Sequence, residues 1–245
     1  RSDSYIGLKA GEDLGGGTSV AVKAEGSLAA NQGGTFSFDR ETSIGLKAGG
    51  LLVKAGQLET LASKHAKAFD PLAERGVTAA LTNTYGVYKP NSVAAQYSVG
   101  ALSGEAQYNY DNVTQKADYA LGGTYKMGAT TLGYAYTKTD AAGSSQQFNA
   151  AHDFGQFSAF GTYEDNKDRT TDSAYAVGVK VPMGQIAAIA SYGEAELSAG
   201  GTAKVTTVAL DYSLSKRTSA YTAFNNSKVS GNSTDTFAVG IKHAF

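Results

Sequence analysis

Cysteine and tryptophan are absent from this 245-residue chain, and proline (three) and methionine (two) are scarce. Without cysteine there is no disulfide framework, no thiolate metal site and no thiol redox chemistry. Charge imbalance is missing too: 21 basic residues against 22 acidic ones leave a net −1, so nothing draws the whole chain to nucleic acid or another polyanion. The three histidines, His65, His152 and His243, are too scattered for a metal-ligand motif, and no GxSxG nucleophile elbow occurs. His65 near Ser63 and His152 beside Asp153 are what chance supplies, so neither an enzyme activity nor a cofactor is expected. Gly15–Gly17 lie between two strand-like stretches rather than ahead of a helix, which argues against a phosphate cradle. Apolar runs are only a handful of residues long, far below the roughly 20 needed for a spanning helix.

Glycine and aromatics are plentiful: 30 Gly, 15 Tyr and 10 Phe suit many tyrosine-rich strands joined by glycine turns. Alternation is the dominant pattern. Phe237, Val239, Ile241, His243 and Phe245 fall on one face of a strand, and Ala238, Gly240, Lys242 and Ala244 on the other. Tyr175, Val177, Val179 and Val181 oppose Ala174, Ala176, Gly178 and Lys180 in the same way, and Leu210, Tyr212 and Leu214 oppose Ala209, Asp211 and Ser213. Large apolar residues hold one face and small or charged ones the other, which is what a barrel with lipid outside and water inside requires. A spanning strand needs only about 9–11 residues and offers every second one to lipid, so such a chain stays near neutral in mean hydropathy.

The pattern predicts strands at about 3–10, 17–30, 36–48, 50–58, 91–99, 102–111, 117–127, 129–139, 146–154, 156–165, 172–182, 185–197, 203–215, 217–228 and 234–245. No helix of ordinary length has a periodic signal. Tight connections at 127–129, 153–156, 182–185 and 214–218 alternate with polar stretches that read as longer loops, such as DNKDRTTD (165–172) and KVSGNSTD (228–235). Short turns at one rim and long loops at the other again suit a barrel. Pro71, Pro90 and Pro182 fall in loops, turns or strand ends. Because bacterial barrels have even strand counts, about fifteen strands lead us to expect a sixteenth preceding Arg1, in a mature or truncated chain.

Several segments resemble the general trimeric porins of Gram-negative bacteria, of the Neisseria and Comamonas type. YIGLKAGEDLGGG (5–17), FDRETSIGLKAG (38–49) and NSVAAQY (91–97) carry the resemblance, and the turn DYSLSKRT (211–218) and the terminal strand VGIKHAF (239–245) are its most specific parts. The resemblance implies one barrel domain over 1–245, an outer-membrane location, and a water-filled channel for ions and small hydrophilic solutes. It also implies a homotrimer surrounded by outer-membrane lipid and lipopolysaccharide, and no nucleic-acid partner. In such porins the barrel-assembly machinery reads the last strand, which would give that role to Phe237, Val239, Ile241, His243 and Phe245.

The irregular stretch 59–90 lies where these porins fold a constriction loop into the lumen, and a loop this long is commonly functional. By resemblance Asp70 and Glu74 would face basic residues on the wall: Arg40, which matches the family's pore arginine, with Lys9, Lys23 and Lys54 added by parity. Opposed rows of charge set up a transverse field that sorts solutes by charge and dipole. Tyr5, Gln57 and Ala94 stand where the family has basic residues, which weakens anion preference, whereas Lys64, Lys67 and Arg75 in the loop restore positive charge. Two other readings compete: a non-conducting barrel serving as adhesin, receptor or anchor, with 59–90 plugging the lumen, and a soluble all-β binding protein.

Overall fold

In the computed structural model, residues 4–28, 36–72, 87–140 and 143–243 are described. They form one antiparallel sheet of fifteen strands hydrogen-bonded in chain order. The strands are β1 (Tyr5–Gly15), β2 (Thr18–Ser27), β3 (Thr42–Ala48), β4 (Leu51–Glu59), β5 (Tyr88–Val99), β6 (Leu102–Asp111), β7 (Lys116–Met127) and β8 (Thr130–Thr139). They continue as β9 (Gly143–Asp153), β10 (Ser158–Lys167), β11 (Thr171–Met183), β12 (Ile186–Leu197), β13 (Thr202–Ser213), β14 (Thr218–Val229) and β15 (Asn232–His243). The described helix, α1 (Leu61–Ala68), follows β4.

Lipid and water partition across the sheet along register rows. Ala190, Val208, Phe224 and Phe237 are successive partners from β12 to β15, followed on the same face by Leu210 with Val239 and Tyr212 with Ile241 two strands apart. This face is open: Phe237, Val239 and Ile241 are 71%, 69% and 73% exposed. The opposite face carries Ser191, Thr207 and Asn225 in one row, all buried. Polar residues inside and branched or aromatic residues outside invert the usual soluble arrangement. Exposed tyrosines border the apolar band: Tyr97, Tyr125 and Tyr212 toward the short-turn rim, and Tyr108, Tyr119, Tyr163 and Tyr175 toward the other. Their rings are amphipathic, which fits the girdle positions of a membrane barrel.

The sheet curls around α1 and the residues after it. Leu72 belongs to a buried cluster with Phe160, Ala176, Ile189, Ala209 and Ala223, which lie on β10 to β14. Its segment starts at Glu59 on β4, and eight strand spacings of about 4.8 Å put β12 roughly 38 Å away on a flat sheet. Eight helical residues and a few extended ones reach only about 30 Å. Curvature closes the difference. β1 and β15 run in the same direction and share no ladder among the described residues.

The expected strands recur, with three differences. β1 stays paired through Asp13 and rejoins at Gly15 after a bulge, so the EDLG stretch belongs to the strand. The chain leaves the sheet before β3, and residues 36–41 are not ladder apart from the bridge of Ser27 with Ser37. At the second rim the polar stretches read as longer loops are mostly strand: β14 and β15 are joined by Ser230 and Gly231 alone, with φ of 47° and 92°. Two positive φ angles suit a tight hairpin whose twist matches its strands. Hydrophilic side chains end the apolar band there, but backbone pairing continues past it.

Position along these rows sets the cost of a charge. Val208→Arg, mid-strand on the lipid face, is expected to lower stability in a reconstituted bilayer by about 2–4 kcal/mol, and Thr202→Arg, six residues nearer the rim on the same face, by about 0–1 kcal/mol. Denaturant titration of the folded fraction checks this; equal losses would refute the assigned lipid face.

Candidate pore constriction

The chain turns into the lumen at the end of β4, and Gln107 on β6 fixes the turn. Its side-chain amide donates to the Glu59 carbonyl at 3.0 Å, and its Oε1 accepts the Leu61 N–H at 2.8 Å. Thr60 caps α1, its Oγ1 accepting the Ser63 N–H at 3.3 Å, and Ser63 Oγ donates to the Glu59 carboxylate. A threonine or serine at such a cap satisfies an N–H that the helix leaves free. The sequence reading left this stretch without a helix because one of eight residues is too short to show a period; only Thr60 and Ser63 hinted at it.

One side of α1 is apolar and rests on glycine and alanine of the wall. Leu61 packs with Ala120 and Ala135 of β7 and β8. Gly133 makes room for the next turn: a Cβ there would sit 2.6 Å from Phe69 Cε2 and 3.2 Å from His65 Nδ1. His65 and Phe69 are stacked, 6.4 Å between centroids, and both are buried. Leu72 completes the seating against β10–β14. Asp70 is buried at this crossing, its Oδ1 accepting the Leu72 N–H at 2.8 Å.

Charged groups gather on the other side. Lys23 Nζ lies 2.8 Å from Glu25 and 3.0 Å from Glu41, and Lys54 also pairs with Glu41, whose Oε1 accepts from Ser43 Oγ at 3.0 Å. Arg40 stands over Tyr5, 4.1 Å from the ring centroid, and 5.3 Å from that of Tyr88; its Nε is 4.0 Å from Glu25. From α1, Lys67 reaches Glu59 at 2.7 Å and Lys64 pairs with Glu105 on β6. Lys9 is the cross-strand partner of Lys23 and shares its face.

Arg40, Lys9, Lys23, Lys54, Lys64 and Lys67 are thus brought to one region, while Glu74 and Arg75 lie outside the described residues, as does Phe245. The sequence reading missed the carboxylates Glu25, Glu41, Glu59 and Glu105. Glu25 was legible, two residues from Lys23 on the same strand face; Glu41 was not, because the chain bends out of the sheet beside it. Gln57, where an arginine was expected, donates to the carbonyls of Arg40 at 2.6 Å and Phe38 at 3.3 Å and so ties that bend to β4.

Burial alone would raise the Glu41 carboxyl, but hydrogen bonds from Lys54 and Lys23 and their charges outweigh it and hold the group at about 2. Burial, joined by the neighbouring Lys64 charge, pushes His65 down to about 4. The other histidines have partners of their own: His152 Nδ1 bonds Thr130 at 2.7 Å and His243 Nδ1 bonds Thr218 at 2.9 Å. Among the described residues no group of three His, Asp or Glu is placed to hold a metal ion.

A polar lumen inside an apolar outer wall, crossed by a docked segment, describes a channel architecture, and the family model for Gram-negative porins matches residues 1–232. The chain belongs to the Gram-negative porin family. It is therefore an outer-membrane β-barrel channel for the passive diffusion of solutes. Among solved structures, the anion-selective porin of Comamonas acidovorans is 20% identical, with a TM-score of 0.83 over 98% of this chain and 89% of that one. A loop-deleted OmpT, an outer-membrane protein of Vibrio cholerae, gives 13% and 0.77, and a substituted variant of the Rh. blastica porin 16% and 0.76, each with the same coverage. Comparison with curated protein sequences returns no match.

Two outcomes are expected from this porin's docked segment. Gly133→Val drives a methyl group into Phe69 and His65, costs about 1–3 kcal/mol of packing, and raises single-channel conductance as α1 lifts from the wall; unchanged conductance would contradict the seating. His65 is held neutral when docked and titrates near 6.5 when released, so the released state binds more protons between those values. Docking is therefore strongest above about pH 6.5 and weakens as pH falls through about 4. Conductance noise should grow over that window, and His65→Phe should abolish the growth.

Proposed function

We propose that ions and small hydrophilic solutes pass between α1 and the wall formed by β1–β5, with a weak preference for anions. The carrying observation is the two-sided seating of residues 61–72: apolar against β7–β14, with Lys64 and Lys67 turned to Glu105 and Glu59 on the other side. Six cations (Lys9, Lys23, Arg40, Lys54, Lys64, Lys67) meet five carboxylates (Glu25, Asp39, Glu41, Glu59, Glu105) there. Each carboxylate has a basic neighbour, which leaves a modest positive field, and Lys9 has no ion pair among the described residues. The Comamonas protein of the same fold is described as anion-selective, in line with this reading. On the same reading Asp70 holds the crossing segment in place rather than lining the solute path.

The protein works without a cofactor and has no catalytic role. It assembles as a homotrimer through part of its apolar outer wall, in outer-membrane lipid and lipopolysaccharide, after delivery by the barrel-assembly machinery. That machinery reads the last strand, where Phe237, Val239, Ile241 and His243 share the outward face and Phe245 follows. Planar-bilayer recording in a potassium chloride gradient tests the proposal. Open channels with a reversal potential on the anion side, shifted toward cations by Lys54→Glu, are expected. Silent bilayers would favour the non-conducting adhesin, receptor or anchor, and a cation-side potential would overturn the selectivity.

A further inference from the structure

The inner face of β9 and β10 carries a carboxylate that the charge network of the constriction does not reach. Glu164 is buried, and its row across the sheet runs Ala135, Gln147, Glu164, Ala174, Ala195 from β8 to β12. The next row toward the short-turn rim runs Gly133, Asn149, Thr162, Ala176, Gly193, and the row on the other side includes Thr137, Ser145 and Asn166. None of these positions holds lysine or arginine. Ala174 and Ala195 pack with Ala203 in an apolar cluster, so that side offers the carboxylate methyl groups.

Polar atoms without partners surround it. Gln147 Oε1, both amide atoms of Asn149 and Asn166 Oδ1 are buried and make no hydrogen bond among the described residues. Glu164, Gln147 and Asn149 are 5%, 4% and 5% exposed. Directly paired residues hold their Cβ atoms about 5 Å apart and diagonal ones about 7–8 Å, so these three side chains can bring their oxygens to one point. The docked segment runs beside this place: Leu61 packs on Ala135 at one end of the row, and His65 lies over Gly133 in the next. It supplies no counter-charge there. Burial, with the Lys64 charge, pushes His65 down to about 4, and Lys64 and Lys67 are engaged with Glu105 and Glu59.

A bare carboxylate buried beside methyl groups is costly. A proton would neutralise it, but a single O–H satisfies one amide oxygen and leaves the other. Water would satisfy the amides and bring no charge. We propose that Glu164 holds a monovalent, alkali-type cation together with the side-chain oxygens of Gln147 and Asn149. Oxygens of this kind can replace part of such an ion's hydration shell. One carboxylate balances one charge, whereas calcium sites draw on several carboxylates, and among the described residues no group of three His, Asp or Glu is placed to supply them. The site lies on β9–β10 rather than on the β1–β5 side of the solute path, and goes beyond that path: its ion cancels the Glu164 charge, so the carboxylate adds nothing negative to the lumen.

Anomalous scattering from crystals of the full chain grown in rubidium chloride tests this. A peak beside the Glu164 carboxylate and the Gln147 and Asn149 oxygens is expected, lost in Glu164→Gln and weakened in Gln147→Met, which keeps the length of the side chain and removes its oxygen. An empty site in the wild type, a peak retained in Glu164→Gln, or rubidium displaced by an equal concentration of calcium would overturn the assignment. Heat-modifiable mobility on gels confirms that each variant is folded, and Gln147→Met decides the matter if Glu164→Gln is not. Planar-bilayer recording gives a second readout. With its charge already cancelled, Glu164→Gln should leave the reversal potential where it is in the wild type; a shift toward anions would reveal a bare carboxylate and contradict the site. Silent bilayers alongside a rubidium peak would count against the channel reading and leave the cation site standing.

Discussion

Hydrocarbon offers no hydrogen bonds, so every backbone N–H and C=O within it must find a partner in the chain. Fifteen described strands laddered in chain order meet that demand by the shortest connections available, save along the outer edges of β1 and β15. Once the ladder is fixed, alternation follows, and with it the separation of Val208, Phe224 and Phe237 from Thr207, Asn225 and Thr236. A one-residue slip in any strand would send the polar set into lipid, so register and solvent preference reinforce each other. The wall and the channel are two faces of one constraint.

On the proposed reading the lumen is narrowed without being filled, and residues 61–72 divide that task across the barrel. Leu61, Phe69 and Leu72 spend their apolar surface on alanines and glycines of β7–β14, while Lys64 and Lys67 turn to Glu105 and Glu59. Small wall residues matter as much as the segment, since Gly133 leaves space that any side chain would take. The charged side is a mixed network rather than two opposed rows: Glu41 sits between Lys23 and Lys54, and Arg40 is held over tyrosine rings.

Much of this was legible in the sequence. Strand existence and the lipid face could be read because the period of two is repeated over many strands, as in Phe237–His243, and Lys23 and Lys54 followed by parity. What could not be read depended on departures from period two. The bend at Arg40 put Glu41 beside the wall lysines, the short α1 carried no periodic signal, and Gly133 shows its role only against Phe69. Loop length was misjudged for a related reason: polarity marks where lipid ends, whereas pairing ends only at a turn such as Ser230–Gly231.

The central claim is that Lys23 and Lys54 face water in a conducting lumen while Val208 faces lipid, and the absence of native cysteine allows it to be tested directly. Lys23→Cys, Lys54→Cys and Val208→Cys, each in an otherwise unchanged chain, would be treated in bilayers with a charged, membrane-impermeant thiol reagent while current is recorded. The expected result is rapid modification with a stepwise change in conductance at positions 23 and 54, and no reaction at 208. Reaction at 208 with protection at 23 and 54 would contradict the account.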